Sequence, residues 1–153
     1  MSVTQQRYCT FVLEGKPFGV AVDRVQEVNC AQEMTPVPLG ASAVSGLINL
    51  RGQIVAALDL RRCLGMPERK ADEKPMNVVV RAADRVVSLL VDEIGEVLDL
   101  GSDTFEKVPN TVGSAGQALF AGVHKLSETL LVVLDVDRAV SAAMGNGEAE
   151  GAK

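Results

Sequence analysis

The stretch Gly46 to Leu64 occurs twice in this chain, and that repetition limits the possible folds more than any other feature. Gly46, Leu50, Leu58, Asp59 and Arg62 reappear as Gly122, Leu126, Leu134, Asp135 and Arg138 at a shift of 76 positions. An upstream pair agrees: Val22-Asp23-Arg24-Val25-Gln26-Glu27-Val28 lies over Val91-Asp92-Glu93-Ile94-Gly95-Glu96-Val97 at a shift of 69. One structural unit is used twice, with short insertions between the matching blocks.

Each unit spans about 65 to 75 residues, a size at which a lone hydrophobic core is marginal. The halves are therefore expected to pack on each other. A hydrophobic fraction of 47% with mean hydropathy +0.18 supplies the material, and four Phe, one Tyr and no Trp make it a core of Val, Leu, Ile and Ala. A net charge of -5 without a basic block argues against nucleic acid as a partner. No apolar run approaches the roughly 18 residues needed to span a bilayer, which reads as a cytosolic chain. Cys9, Cys30 and Cys63 are odd in number and never in C-x-x-C, so they read as reduced, buried small side chains rather than a disulfide or zinc framework.

In order, Tyr8 to Leu13 reads as a strand that turns at Glu14-Gly15-Lys16-Pro17 and returns as Phe18 to Val22, with Pro17 confined to the strand's first position. Val25-x-x-Val28 is too short for periodicity to separate helix from strand. Pro36, Pro38 and Gly40 make Asn29 to Ser45 a loop. Leu47 to Leu50 and Gln53 to Leu58 form a second hairpin whose tight turn holds Arg51 and Gly52. Ile54 to Leu58 is apolar throughout, so both faces of that strand should be covered. Asp59 caps a helical turn over Leu60 to Leu64, ended by Gly65-Met66-Pro67. Met66 to Pro75 is a charged linker. The second unit repeats the plan with strands at Met76 to Arg81, Arg85 to Val91, Val97 to Leu100 and Leu130 to Leu134. A mobile loop is expected at Asn110 to Ala118, a helix over Asp135 to Met144, and a disordered Gly-rich tail from Gly145.

Catalytic chemistry finds little to work with. The single His124 reads as a surface or hydrogen-bonded strand residue, and Gly113-x-x-Gly116 lacks the end and context of a phosphate loop. Paired aspartates from two related halves invite comparison with aspartic proteases. Yet Leu60 and Val136 follow Asp59 and Asp135 where that chemistry needs small donors, so helix capping accounts for both. A partner site is better sought where the copies differ: Arg51-Gly52 becomes Ser127-Glu128, and an Arg at a hairpin tip carries five fixed donors suited to a carboxylate on another protein.

Together Phe18-Gly19-Val20-x-Val22, Val25-x-Glu27-Val28, Thr35-Pro36-Val37-Pro38, Gly46-Leu47-Ile48-Asn49-Leu50-Arg51-Gly52, Leu58-Asp59-Leu60, Val91-Asp92 and Leu134-Asp135 resemble the CheW family of chemotaxis coupling proteins, from Tyr8 to Met144. The resemblance implies an all-β fold with short helices. It would comprise two pseudo-repeated five-stranded β-barrels, residues 8–70 and 75–144, packed on each other as one CheW-like domain with a C-terminal helix, and flexible tails at 1–7 and 145–153. It implies no enzymatic activity, no cofactor and no metal. The role it implies is that of an adaptor joining the cytoplasmic signalling tip of a chemoreceptor, a methyl-accepting chemotaxis protein, to the regulatory domain of a CheA-type histidine kinase. Such an adaptor is cytoplasmic, recruited to membrane-associated receptor arrays without inserting into the membrane. The same coupling in twitching motility or second-messenger control is the alternative. Carried over residue by residue, the receptor-binding positions are Val25, Glu27, Gly46, Arg51, Ser88 and Ile94. Two positions depart from the family pattern: Ala56 stands where Pro is usual, and Ser88 where Gly is frequent.

Overall fold

The computed structural model describes residues 4–30, 33–36, 44–70, 72–82, 85–107 and 119–144. The first unit opens with β1 (Gln5–Leu13) and β2 (Lys16–Ala21), joined by Glu14 and Gly15 at φ 52° and 76°. Two successive positive φ values make a primed turn whose twist matches the flanking strands. Lys16 therefore pairs with Leu13, and Pro17 sits inside the strand rather than at its start. A 3-10 turn at Val22–Arg24 leads into β3 (Val25–Asn29), so the segment that periodicity left open is extended. β4 is only Thr35–Pro36, and β5 (Val44–Leu50) and β6 (Gln53–Asp59) form the expected hairpin. Asp59 caps α1 (Leu60–Cys63) by accepting from the Arg61 N–H at 3.1 Å. Gly65, at φ 73°, closes it, and the Met66 N–H returns to the Arg61 carbonyl at 2.7 Å.

The second unit comprises β7 (Met76–Ala82), β8 (Arg85–Val91), β9 (Glu93–Gly101), a 3-10 turn at Ser102–Thr104, β10 (Phe105–Glu106), β11 (Phe120–Lys125), β12 (Leu130–Leu134) and α2 (Val136–Met144). β9 is longer than the Val97 to Leu100 strand expected. Asp135 repeats the capping role, its Oδ1 accepting from the Arg138 N–H at 3.1 Å. The expected loop at Asn110 to Ala118 and the tail from Gly145 lie outside the described residues.

Strand pairing crosses between the units. One sheet runs β10-β11-β12-β2-β1-β9 and the other β3-β7-β8-β6-β5-β4, so each unit lends its first hairpin to the sheet of the other through parallel β12–β2 and β6–β8 contacts. The expected five-stranded barrels are corrected accordingly: among the described residues each sheet has six strands and neither ladder closes into a ring. β4 and β10 are two residues long, and Pro36 has no N–H to carry pairing further.

The two sheets meet in one shared core. Cys9, Phe11, Leu13, Phe18 and Val20 face Val78, Val80, Val87, Leu89 and Val91, while Leu60, Val136, Ala139 and Val140 bring the helices against them. Phe11 and Phe18 stack with centroids 6.0 Å apart. Coverage of β6 is incomplete, contrary to expectation: Val55, Ala57 and Leu58 are buried but Ile54 is exposed, as is its repeat partner Leu130. Ile54 pairs with Asn49 beside the hairpin tip, beyond the start of the ladder with β8. Cys30 is likewise exposed rather than buried, and Cys9, Cys30 and Cys63 form no disulfide.

The linker is pinned rather than loose. Arg69, itself buried, donates from Nε to Asp92 Oδ1 at 2.8 Å, from Nη1 to Asp59 Oδ1 at 3.1 Å and from Nη2 to the Leu90 carbonyl at 3.1 Å. Arg61 grips the same Asp92 from Nε at 3.0 Å. Burial pushes the Asp92 carboxyl up, but hydrogen bonds from Arg61, the Glu14 N–H and Arg69 outweigh it and hold its pKa below the ordinary value.

The repeated Gly46 and Gly122 are where the short strands cross closely over their neighbours. A Cβ on Gly46 would lie 2.5 Å from the Thr35 carbonyl oxygen and 2.6 Å from Met34 Cγ; one on Gly122 would meet the Phe105 ring and the Glu106 carbonyl oxygen at 2.6 Å. Backbone cannot yield as a side-chain tip can. Gly46→Ala and Gly122→Ala should each cost about 1–3 kcal/mol in urea unfolding. Wild-type midpoints in both would show that the crossings are not tight.

Candidate partner-binding surface

β3 and β9 are repeat-related and each ends its sheet. In a regular strand residues i and i+3 point to opposite faces. Here a bulge intervenes at the same place in both, at Gln26 in β3 and at Gly95–Glu96 in β9. Val25 and Val28 consequently oppose Val80 and Val78, while Ile94 and Val97 oppose Phe11 and Cys9, and all four of those partners belong to the shared core. Directly opposed residues share a face, so the bulges put Val25 with Val28, and Ile94 with Val97, on the inter-sheet side. Val25 and Ile94 pack on the core from its margin. Val28 and Val97 remain 37% and 56% exposed, an unusual state for two related valines on strand edges. Gly95 makes its bulge possible, because Thr10 Oγ1 occupies the place of a Cβ there.

Glu27 opposes Val79, turned away from that apolar face. Its carboxylate is held by Arg51 in a forked pair, Nη1 to Oε2 at 2.6 Å and Nη2 to Oε1. The hydrogen bonds from Arg51 lower the Glu27 pKa, and the pair raises that of Arg51. The order Asn49-Leu50-Arg51-Gly52 now has a physical meaning. Asn49 Oδ1 accepts from the Gly52 N–H at 2.9 Å, Gly52 supplies φ 87°, and Arg51 takes φ 54°, a left-handed conformation uncommon for a long side chain. Held so, the Arg51 side chain is 71% exposed while that of Glu27 is 16% exposed; two of its five donors go to Glu27, which leaves outward donors for solvent or a partner.

The structure thus brings Glu27 and Arg51 into contact, with Val25 on the same strand but facing the core. Ile94 lies on the other sheet, against the same core. Gly46 is buried beneath β4, and Ser88 is buried with its hydroxyl donating to Asn77 Oδ1 at 2.7 Å. Sequence reasoning overlooked Val28 and Val97 as surface residues. The 69-residue shift pairs them, but only a bulge turns an i, i+3 pair in a strand to one side.

A CheW-like domain model matches residues 7–144. Relatives named chemotaxis protein CheW include that of Klebsiella aerogenes, 26% identical over 137 residues covering 90% of this chain and 82% of the relative. That of Thermotoga maritima is 29% identical over 135 residues covering 86% and 85%. The crystal structure of the scaffolding protein TtCheW from Thermoanaerobacter tengcongensis has the same fold, with TM-score 0.78 at 23% identity over 86% of this chain and 90% of that one.

The aspartates Asp59 and Asp135 cap helices, no group of three or more His, Cys, Asp or Glu could hold a metal ion among the described residues, and none of their helices is long and apolar enough to cross a membrane. His124 is buried on β11 between Thr104 Oγ1, 2.8 Å from Nδ1, and the Tyr8 hydroxyl, 3.1 Å from Nε2. Thr104 donates its own proton to the Gly101 carbonyl, so Nδ1–H donates to Thr104 and Tyr8 donates to Nε2. Burial lowers the His124 pKa from 6.5, opposed by the charge of Asp103. Unfolding frees the ring to take a proton, so its stabilising contribution is complete above the unfolded pKa and is lost as pH falls through the lowered folded one. Unfolding midpoints should decline between about pH 7.5 and about 5.5, and decline less in His124→Gln. Equal slopes would show that the ring is protonated equally in both states.

Proposed function

Because the chain belongs to the CheW-like domain family, we propose that it is a non-enzymatic chemotaxis adaptor coupling the cytoplasmic signalling tip of a chemoreceptor to the regulatory domain of a CheA-type histidine kinase. The observation that carries this reading is the forked Glu27–Arg51 pair on the edge strand β3, whose other face carries Val25 and the exposed Val28. A receptor tip offers an amphipathic helix, and such a helix binds by setting apolar side chains at i, i+3 and i+4 spacing against an apolar surface while polar contacts at the rim fix its register. Val25 and Val28 supply the apolar side on β3, and Ile94 and Val97 are their repeat-related counterparts on β9. Arg51, anchored by Glu27, presents its outward donors to a receptor carboxylate.

The two units, residues 8–70 and 75–144, act as one docking body, since neither sheet exists without both. Gly46 and Ser88 shape the surface from beneath. Recruitment of a cytoplasmic protein to membrane-associated arrays follows from the receptor contact alone and needs no membrane-spanning segment. A second face for the kinase makes the chain a connector, and many weak bivalent contacts give an array its avidity.

Titration calorimetry against a receptor-tip fragment and a kinase regulatory domain tests the role. The wild-type protein should bind both. Arg51→Glu should weaken tip binding about tenfold or more while leaving kinase binding and the unfolding midpoint nearly unchanged. Val28→Asp combined with Val97→Asp should act the same way through the apolar side. Absence of saturable binding to either folded partner would refute the coupling role, and a melted fold in Arg51→Glu would make that residue structural.

A further inference from the structure

In the β3-β7-β8-β6-β5-β4 sheet, on the face turned away from the shared core, two polar side chains sit among Ile48, Leu50, Val55 and Val79. Ser88 is 1% exposed and Asn77 2%. The Ser88 hydroxyl donates to Asn77 Oδ1 at 2.7 Å, and Asn77 Nδ2 donates to the Cys30 carbonyl at 3.0 Å. Cys30 directly follows β3, whose last residue Asn29 is paired with Asn77. The chain of bonds therefore runs from β8 through β7 to the residue just past the end of the edge strand that carries Val25, Glu27 and Val28.

We propose that Ser88 and Asn77 are positioning residues for the partner surface, an internal clasp that holds the end of β3. The proposal rests on the coupling role for its consequence, though not for its geometry. An Asn amide has two nearly isosteric ends, and the one that accepts must be chosen by a neighbour. The Cys30 carbonyl makes that choice, since it can only accept: Nδ2 turns to it, and Oδ1 is left buried with the Ser88 hydroxyl as its donor. The surrounding space has no room for a water molecule, so none can substitute. β3 needs such a clasp because it is paired on one side only and its ladder is interrupted by the bulge at Gln26.

The other sheet carries a counterpart built from different residues. At the 69-residue shift Asn77 lies over Tyr8 and Ser88 over Gly19. Tyr8 reaches His124, which reaches Thr104 in the 3-10 turn just past β9, the other edge strand. The sizes are complementary. A Cβ on Gly19 would lie 3.6 Å from Tyr8 Cβ and 3.3 Å from Leu131, a crowded place beside a large ring, whereas the small Asn77 leaves space for the Ser88 side chain. Each sheet thus fastens the segment following its partner-facing edge strand from within, by unrelated chemistry at equivalent positions.

The decisive variants are Ser88→Ala and the double variant Asn77→Leu with Ser88→Ala. Removing both polar groups takes this donor from the Cys30 carbonyl, but Cys30 is exposed and water can reach it, so the double variant should unfold at a midpoint near that of wild type. Amide hydrogen exchange of Val28, Asn29 and Cys30 should nonetheless be faster by about fivefold or more in both variants, with the β7–β8 core amides unchanged in the double one. Receptor-tip affinity should fall by a similar factor in both, and kinase-domain affinity should not. A merely structural role would move tip affinity with the midpoint; a positioning role separates them in the double variant. Unchanged exchange at the end of β3, or wild-type tip affinity in the double variant, would overturn the proposal. Exchange needs no partner, so it decides the clasp even if the wild-type protein fails to bind the tip, an outcome that counts against the coupling role itself.

Discussion

The exchange of first hairpins between the two units is the constraint on which the rest of the structure depends. β1 and β2 complete the sheet of the second unit, β7 and β8 that of the first, and the inner faces of all four strands form the shared core. A unit of about 70 residues buries barely enough apolar surface to offset the entropy of ordering its chain. Lending a hairpin removes the option of independent folding and makes one core where two would be marginal. The linker is held to the same arrangement, because Arg69 joins Asp59 of one unit to Asp92 of the other.

That arrangement also creates the surface. With the hairpins placed centrally, β3 and β9 become the sheet ends, and a bulge in each turns a second valine toward the inter-sheet side. Exposed apolar edges are a liability for aggregation, and here they are bulged and carry Glu27, Glu93 and Glu96. The polar element is equally constrained. Arg51 sits in a primed turn that only Gly, Asn or Asp adopt readily, and the turn's own hydrogen bond from Gly52 to Asn49 holds it there. A floppy Arg on a longer loop would lose more side-chain freedom on meeting a partner.

Much of this was legible in the linear order of residues. Glu14-Gly15 and Arg51-Gly52 mark tight turns because Gly supplies positive φ, and Asp59 and Asp135 mark helix starts because a short carboxylate reaches unpaired N–H groups. Both signals are local, and both held. Ile54 was misread because a run of apolar residues states what could be buried, not whether a neighbouring strand extends far enough to bury it. Cys30 was misread for the same reason. Val28 and Val97 were overlooked because strand periodicity places them opposite Val25 and Ile94, and a bulge is a property of pairing between two strands rather than of one.

The sequence by itself determined the twofold repeat, the hairpins, the two helix caps and the family resemblance, since each depends on residues near one another in the chain or on direct comparison of two stretches of it. Only the tertiary structure decided which unit each hairpin joins, where the ladders end, that Arg51 reaches Glu27, and that Ser88 lies inside rather than on the surface. Those are contacts between residues distant in sequence. They are selected by how two marginal cores can be merged into one, a requirement that no local pattern of residues expresses.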